Sequence, residues 1–152
     1  MMQNSQKRIR LCTCLLCLNL VFIWGNSLMP GEISDQISHL VGKILDGISR
    51  TAAAETDGGH HLLRKLAHFS EFACLGALLC WRVGMAGETG RHLAALTLAG
   101  VLTAACVDET IQVFVADRGS SLIDVWIDTC GGAVGMIILL FGYHWIGRKH
   151  GN

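Results

Sequence analysis

Apolar residues fall along this chain in four long runs, at about residues 11–28, 62–83, 92–114 and 121–146. At about 1.5 Å of rise per residue, each run crosses, or nearly crosses, the roughly 30 Å of a bilayer's hydrocarbon. Between the first and second runs the pattern changes. Ile33, Ile37, Leu40, Val41, Ile44, Leu45 and Ile48 recur at helical spacing, while Asp35, Gln36, His39, Lys43 and Asp46 fill the opposite face. This predicts an amphipathic helix over about 33–48, lying in the membrane interface or packed as a lid over the other helices. Pro30 and Gly31 end the first run, and Ser34 is placed to start the next helix. Thr51 to His61 reads as a polar loop, Gly84 to Arg91 as a short turn and Ala116 to Gly119 as another. The expected fold class is all-α: an integral membrane four-helix bundle, with the amphipathic interfacial helix between spans one and two, in one domain over residues 1–152.

Composition strengthens the membrane reading. The chain is 51% hydrophobic and only 16% charged, with a mean hydropathy of +0.45. Soluble domains carry about a quarter charged residues. Formal net charge is zero, so bulk electrostatics predicts no nucleic-acid partner. All seven cysteines sit inside apolar runs and read as small hydrophobes. Cys12, Cys14 and Cys17 have a spacing seen in metal or redox clusters, but nothing nearby completes a ligand set. Lys7, Arg8 and Arg10 precede the first run as they would in a signal peptide. No clean small-x-small cleavage site precedes Pro30, so the run reads as an uncleaved first span, with cleavage the alternative.

Polar residues concentrate at the borders of the runs. Asp108 and Gln112 lie four apart on one helical face, with Glu109 beside them, and Arg118 follows in the turn. Asp124, Asp128, Gly131 and Gly135 form one stripe that starts carboxylate and ends glycine, where a second helix backbone can approach closely. Arg64, His68, Glu71 and Leu75 share a face at the start of span two, with Lys65 alongside. Arg64 and Lys65 read equally well as snorkelling to the headgroups, whereas His68 and Glu71 lie deeper and read as a buried pair or a site. Asn26 and Ser27 mark the end of span one as helix capping or interfacial polarity.

Four spans place both termini on one side. With Lys7, Arg8, Arg10, Arg82, Arg91, Arg148 and Lys149 on the cytoplasmic side, the positive-inside rule is met. The same topology gathers Arg64, Lys65, His68, Glu71, Asp108, Glu109, Gln112, Arg118, Asp124 and Asp128 near the outer face. A charge at the bilayer centre costs about 3 kcal/mol on insertion scales, so these carboxylates need partners. Arg118 and Arg64 are the expected partners of Asp124 and Asp108. Such a network either fixes helix register or lines a functional pocket.

In order along the chain, Asp108, Glu109, Gln112, Phe114, Arg118, Asp124, Val125, Gly131 and Gly135 resemble the core motif of the VanZ-like family, named after an accessory protein of glycopeptide-resistance clusters. Asn26-Ser27 followed by Ser34 and Ser38, and Lys65-x-x-His68 before an aromatic-rich run, resemble the same family. The resemblance extends from Trp24 to Gly135. It implies a small multi-pass protein of the bacterial cytoplasmic membrane and associates the chain with resistance to glycopeptides such as teicoplanin. The chain departs from the family pattern at Ala116, near which relatives often carry proline, and at Asp128, where they often carry asparagine. The turn is then expected to be less constrained, and a second negative charge has to be compensated.

The foremost expectation is therefore a membrane protein, in contact with membrane lipid, that binds an amphiphilic ligand from outside: a lipid headgroup, a lipid-linked cell-wall precursor or a lipophilic glycopeptide. Arg64, Lys65 and Arg118 suit phosphate or carboxylate groups, and His68 with Asp124 or Glu71 suits proton movement. No lipid-phosphatase, intramembrane-protease or acyltransferase signature is present. The alternative is a non-enzymatic structural or modulatory envelope protein. A third reading is a small ion or proton carrier using Glu71, Asp108, Glu109, Asp124 and Asp128, although the inner halves of spans three and four lack ionisable residues. No cofactor is expected. No metal site is expected either, since His60 and His61 have no spacing to a second ligand pair, which leaves open only an oxygen-rich divalent site.

Overall fold

A computed structural model describes residues 2–34, 36–37, 40–41 and 57–149 of the chain. Four long helices dominate: α1 (Met2–Ser27), α2 (Asp57–Met85), α3 (Gly90–Val113) and α4 (Leu122–Lys149). Each contains a stretch long and apolar enough to cross a membrane. Among the described residues there is no strand, so the all-α bundle expected from the sequence is what forms. Residues 31–34, 36–37 and 40–41 are helical as well, where the amphipathic helix was expected. The remainder of that expected helix, 35, 38–39 and 42–48, lies outside the described residues.

Two boundaries differ from expectation. Helix α1 begins well before Leu11 and takes in Lys7, Arg8 and Arg10. Helix α2 begins at Asp57, so residues 57–61, expected in the loop, belong to its first turns. Both follow from helix cooperativity: once a long apolar segment is helical, each added residue gains a hydrogen bond without a new nucleation cost. Lys and Arg are also good helix formers, while Gly58 and Gly59 are tolerated at a helix start.

The helices run alternately up and down. The end of α1 meets the end of α3 and the starts of α2 and α4, as shown by the pairs Ser27–Asp108, Asn26–Glu71 and Lys65–Asp124. At the far end, Arg8, Trp81, Leu93 and Tyr143 share a second grouping. The surface is inverted relative to a soluble domain. Phe141 and Trp126 are 72% and 71% exposed, whereas Asp108 and Asp128 are 0% and 2% exposed. Leu11, Leu18, Val21 and Phe22 cover the outside of α1. Water does not favour that distribution, and lipid does.

Helices α2 and α4 make the most intimate contact, along a stripe of small residues. Gly76 lies against the Gly132 backbone, Gly131 against the Phe69 carbonyl and Gly135 against the Ala73 carbonyl, each with no room for a Cβ. Gly132 also takes the Val101 side chain of α3. The stripe expected from Gly131 and Gly135 thus finds its partner in α2, and dispersion between touching backbones substitutes for the hydrophobic effect that lipid removes. Beneath the polar end, Ile23, Phe72, Leu75, Val101 and Ala105 pack as an apolar core.

This seam sets a first test. Gly135→Val forces α4 away from Ala73 and is expected to cost at least about 2 kcal/mol, read as a lower melting midpoint in detergent. Gly142→Ala meets nothing within 4 Å and should leave the midpoint unchanged or raised.

Candidate functional site

The polar end is centred on Asp108, which is fully buried near the end of α3. Its Oδ1 accepts a hydrogen bond from Ser27 Oγ at 2.6 Å, and its Oδ2 accepts one from Gln112 Nε2 at 2.8 Å. Gln112 Nε2 also donates to Ser27 Oγ at 3.3 Å. Helical spacing places Gln112 over Asp108 within α3, and the antiparallel packing supplies Ser27 from α1. His68 Nδ1 stands 3.9 Å from Asp108 Oδ2, beyond hydrogen-bond reach.

Arg118 fastens the α3–α4 turn to the end of α1. Its Nε donates to the Met29 carbonyl at 3.1 Å and its Nη2 to the Asn26 carbonyl at 2.9 Å. The Asn26 carbonyl also accepts the Met29 N–H at 3.2 Å in the last turn, and a guanidinium with fixed diverging N–H groups can serve both carbonyls at once. The backbone agrees with this contact. Gly31 N–H donates to the Ala116 carbonyl at 3.3 Å, Gly31 abuts the Asp117 carbonyl, and Asp117 takes a left-handed φ of 58°. The turn that lacks the family's proline is therefore tied to α1 by hydrogen bonds. Glu109 Oε2 accepts the Ser121 N–H at 2.7 Å, and the Ser121 hydroxyl accepts the Ile123 N–H at 3.2 Å, which fixes where α4 starts.

Two cavities flank this scaffold. The larger, about 290 Å³, is lined by Arg64, Lys65, His68, Glu109, Gln112, Asp117, Gly119, Asp124, Ile127 and Asp128. At its mouth Lys65 Nζ pairs with Asp124 Oδ1 at 2.8 Å, the two side chains being 44% and 27% exposed. The smaller, about 140 Å³, lies between α1, α2 and the described part of the 31–41 segment. Asn26, Ser34, Ile37, Glu71 and Arg118 line it. There Asn26 Nδ2 donates to Glu71 Oε1 at 2.9 Å, while Glu71 Oε2 is buried without a hydrogen bond among the described residues. Arg64 and His68 border both cavities.

All twelve residues singled out from the sequence lie at this end, but their pairings differ from expectation. Arg118 and Arg64 were expected to neutralise Asp124 and Asp108. Instead Asp124 takes Lys65, and Asp108 takes Ser27 and Gln112. Arg118 reaches Asn26 and Met29 because main-chain carbonyls are the nearer acceptors at a helix end. Among the described residues the carboxylate within 4.0 Å of His68 is Asp108, where Asp124 or Glu71 was expected. One ligand atom from each of His68, Asp108 and Asp128 lies within 4.8 Å of the other two. Asp117, Gly119 and Ile127 line the larger cavity unanticipated, and the Ser121 N–H serves Glu109. Only the acidity of Asp117 beside a Gly-containing turn hinted at them; a carbonyl or an N–H leaves no mark in side-chain spacing.

The two kinds of contact separate under mutation. Arg118→Ala should cost at least about 2 kcal/mol, because two hydrogen bonds from a charged group are lost and the tie between the α3–α4 turn and the end of α1 goes with them. Arg118→Lys should recover only part, since one ammonium cannot span both acceptors. Lys65→Ala should cost under about 1 kcal/mol, as exposed pairs do. Thermal melting of the three purified variants in one detergent checks the ranking.

No curated protein and no solved structure matches the chain. A sequence model of a membrane-protein family does, over residues 9–143, a range that takes in the four spans almost entirely and every residue of the polar end. On that match the chain belongs to the VanZ/LLP1 family.

Proposed function

We propose that this VanZ-type membrane protein binds the polar head of an amphiphile in the larger cavity. One observation carries the reading: a cavity at one end of an apolar bundle places two cations beside several carboxylates, close to where a lipid head would lie. Arg64 and Lys65 suit a phosphate, and Glu109 and Asp124 suit an amine or hydroxyl of the same head. Size selects among the candidates. Ligand pockets run from about 300 to 1,000 Å³, so about 290 Å³ suits a headgroup or the phosphate of a lipid-linked cell-wall precursor and not a whole glycopeptide. Any protection against teicoplanin then acts through a lipid or precursor. In this reading the polar end faces outward from the bacterial cytoplasmic membrane, and the basic ends of α1 and α4 face inward.

A structural reading is favoured for the other half of the cluster. Ser27, Asp108, Gln112 and Arg118 spend their polar atoms joining α1 to α3 and to the α3–α4 turn, as a register-fixing network does. The apolar core below the cavity argues against an ion path.

The test is to express the chain in a susceptible Gram-positive host, titrate teicoplanin, and identify the phosphate-bearing lipids that copurify with the chain. Intact protein should protect and retain a lipid. The Arg64→Ala/Lys65→Ala double variant, at equal membrane level, should lose both. If the double variant keeps both, the cavity is not the ligand site.

A further inference from the structure

We propose that His68, Asp108 and Asp128 together hold one divalent transition-metal cation of the Mn²⁺ or Zn²⁺ type at the buried side of the larger cavity. Each residue comes from a different helix: α2, α3 and α4. One donor atom of each lies within 4.8 Å of the others. Ligand atoms about 2.0–2.2 Å from an ion stand about 3 to 4 Å from one another, so small side-chain rotations close the set. The 3.9 Å between His68 Nδ1 and Asp108 Oδ2 is too long for a hydrogen bond and a few tenths of an ångström wider than the tetrahedral spacing of two atoms sharing an ion.

Asp128 is the second, independent observation. It is 2% exposed, it borders the cavity, and no hydrogen bond or ion pair reaches its carboxylate among the described residues. A carboxylate buried in this way is stable only when it holds a proton or faces a counter-charge, and a cation can displace the proton. The larger cavity offers Arg64 and Lys65 against Glu109, Asp117, Asp124 and Asp128, with Asp108 just behind, so negative charge is in excess. Lys65 is already taken by Asp124. A divalent cation balances more of these carboxylates than the two cationic side chains lining the cavity can.

The surroundings suit a ligand set. Ser27 and Gln112 each bond one oxygen of Asp108, as the neighbours of metal-bound carboxylates do, and leave each oxygen a further lone pair. One imidazole with two carboxylates suits Mn²⁺, Fe²⁺ or Zn²⁺ better than Ca²⁺, which prefers all-oxygen cages. Three protein ligands leave coordination positions open towards the cavity. Those positions, with Arg64 and Lys65 nearby, would take the phosphate of the head; this last step rests on the headgroup reading above, and the cation site itself does not.

The full chain, purified in a neutral detergent and stripped with EDTA, is titrated with Mn²⁺ while the free-ion signal is followed by electron paramagnetic resonance. Mn²⁺ is the probe because the seven free thiols would also take up Zn²⁺. One Mn²⁺ per chain is expected, with a raised melting midpoint, as for any ligand that binds only the folded state. Asp128→Asn and His68→Gln should each weaken binding at least tenfold. Melting in EDTA keeps the variants interpretable: Asp128→Asn, which replaces a buried carboxyl that makes no hydrogen bond among the described residues with a neutral group of the same shape, should melt no lower than the parent. Lys65→Ala should still bind Mn²⁺, even where it loses lipid. Absence of stoichiometric binding by the parent overturns the proposal, and so does equal binding by Asp128→Asn. Loss of lipid with Mn²⁺ binding intact would instead strike only the headgroup reading.

Discussion

Asp108 carries a carboxylate into a fully buried place between the helices, and each of its oxygens is met by a hydrogen bond from a side chain. An unmet charge there would cost several kcal/mol, so the positions of Ser27 and Gln112 are not free to drift. Ser27 is held where it is because α1 ends at that depth. Arg118 fixes that end by occupying the carbonyls of Asn26 and Met29. The α3–α4 turn, the end of α1 and the start of α4 are thus parts of one arrangement, joined through Asp108, Arg118 and Glu109.

The polar end divides along α2. On one side, towards α1, the polar atoms are largely spent on holding helices together. On the other, towards α4, Arg64, Lys65, Glu109, Asp124 and Asp128 border a cavity. His68 and Arg64 stand on the boundary and border both cavities. A ligand in the larger cavity would therefore sense the scaffold through His68 and Asp108, which is a physical route from site to packing.

The glycine seam decides how close the site residues come. Because Gly131 and Gly135 let α4 lie against the carbonyls of Phe69 and Ala73, Asp128, one turn before Gly131, is carried next to His68, one residue before Phe69. Larger side chains on the stripe would separate the helices and open the space between those two residues. The function proposed for the cavity thus depends on a contact made by residues with no chemistry of their own.

Periodicity and composition by themselves determined the four spans, the all-α class and the end of the bundle at which the charges gather, because burial in lipid constrains every residue of a span and leaves a repeated mark. The family was legible too, from residues such as Asp108, Gln112, Arg118 and Asp124 in order. Partners were not. Arg118 looked like a counter-ion to Asp124, and only the fold showed that helix-end carbonyls lie nearer. Asp128 read as one member of an acidic stripe, and only packing placed it within reach of His68 and Asp108. Spacing along one helix reports which side chains share its face. Which groups meet across helices depends on their relative depth and rotation, and those are settled by backbone contact between segments far apart in the chain.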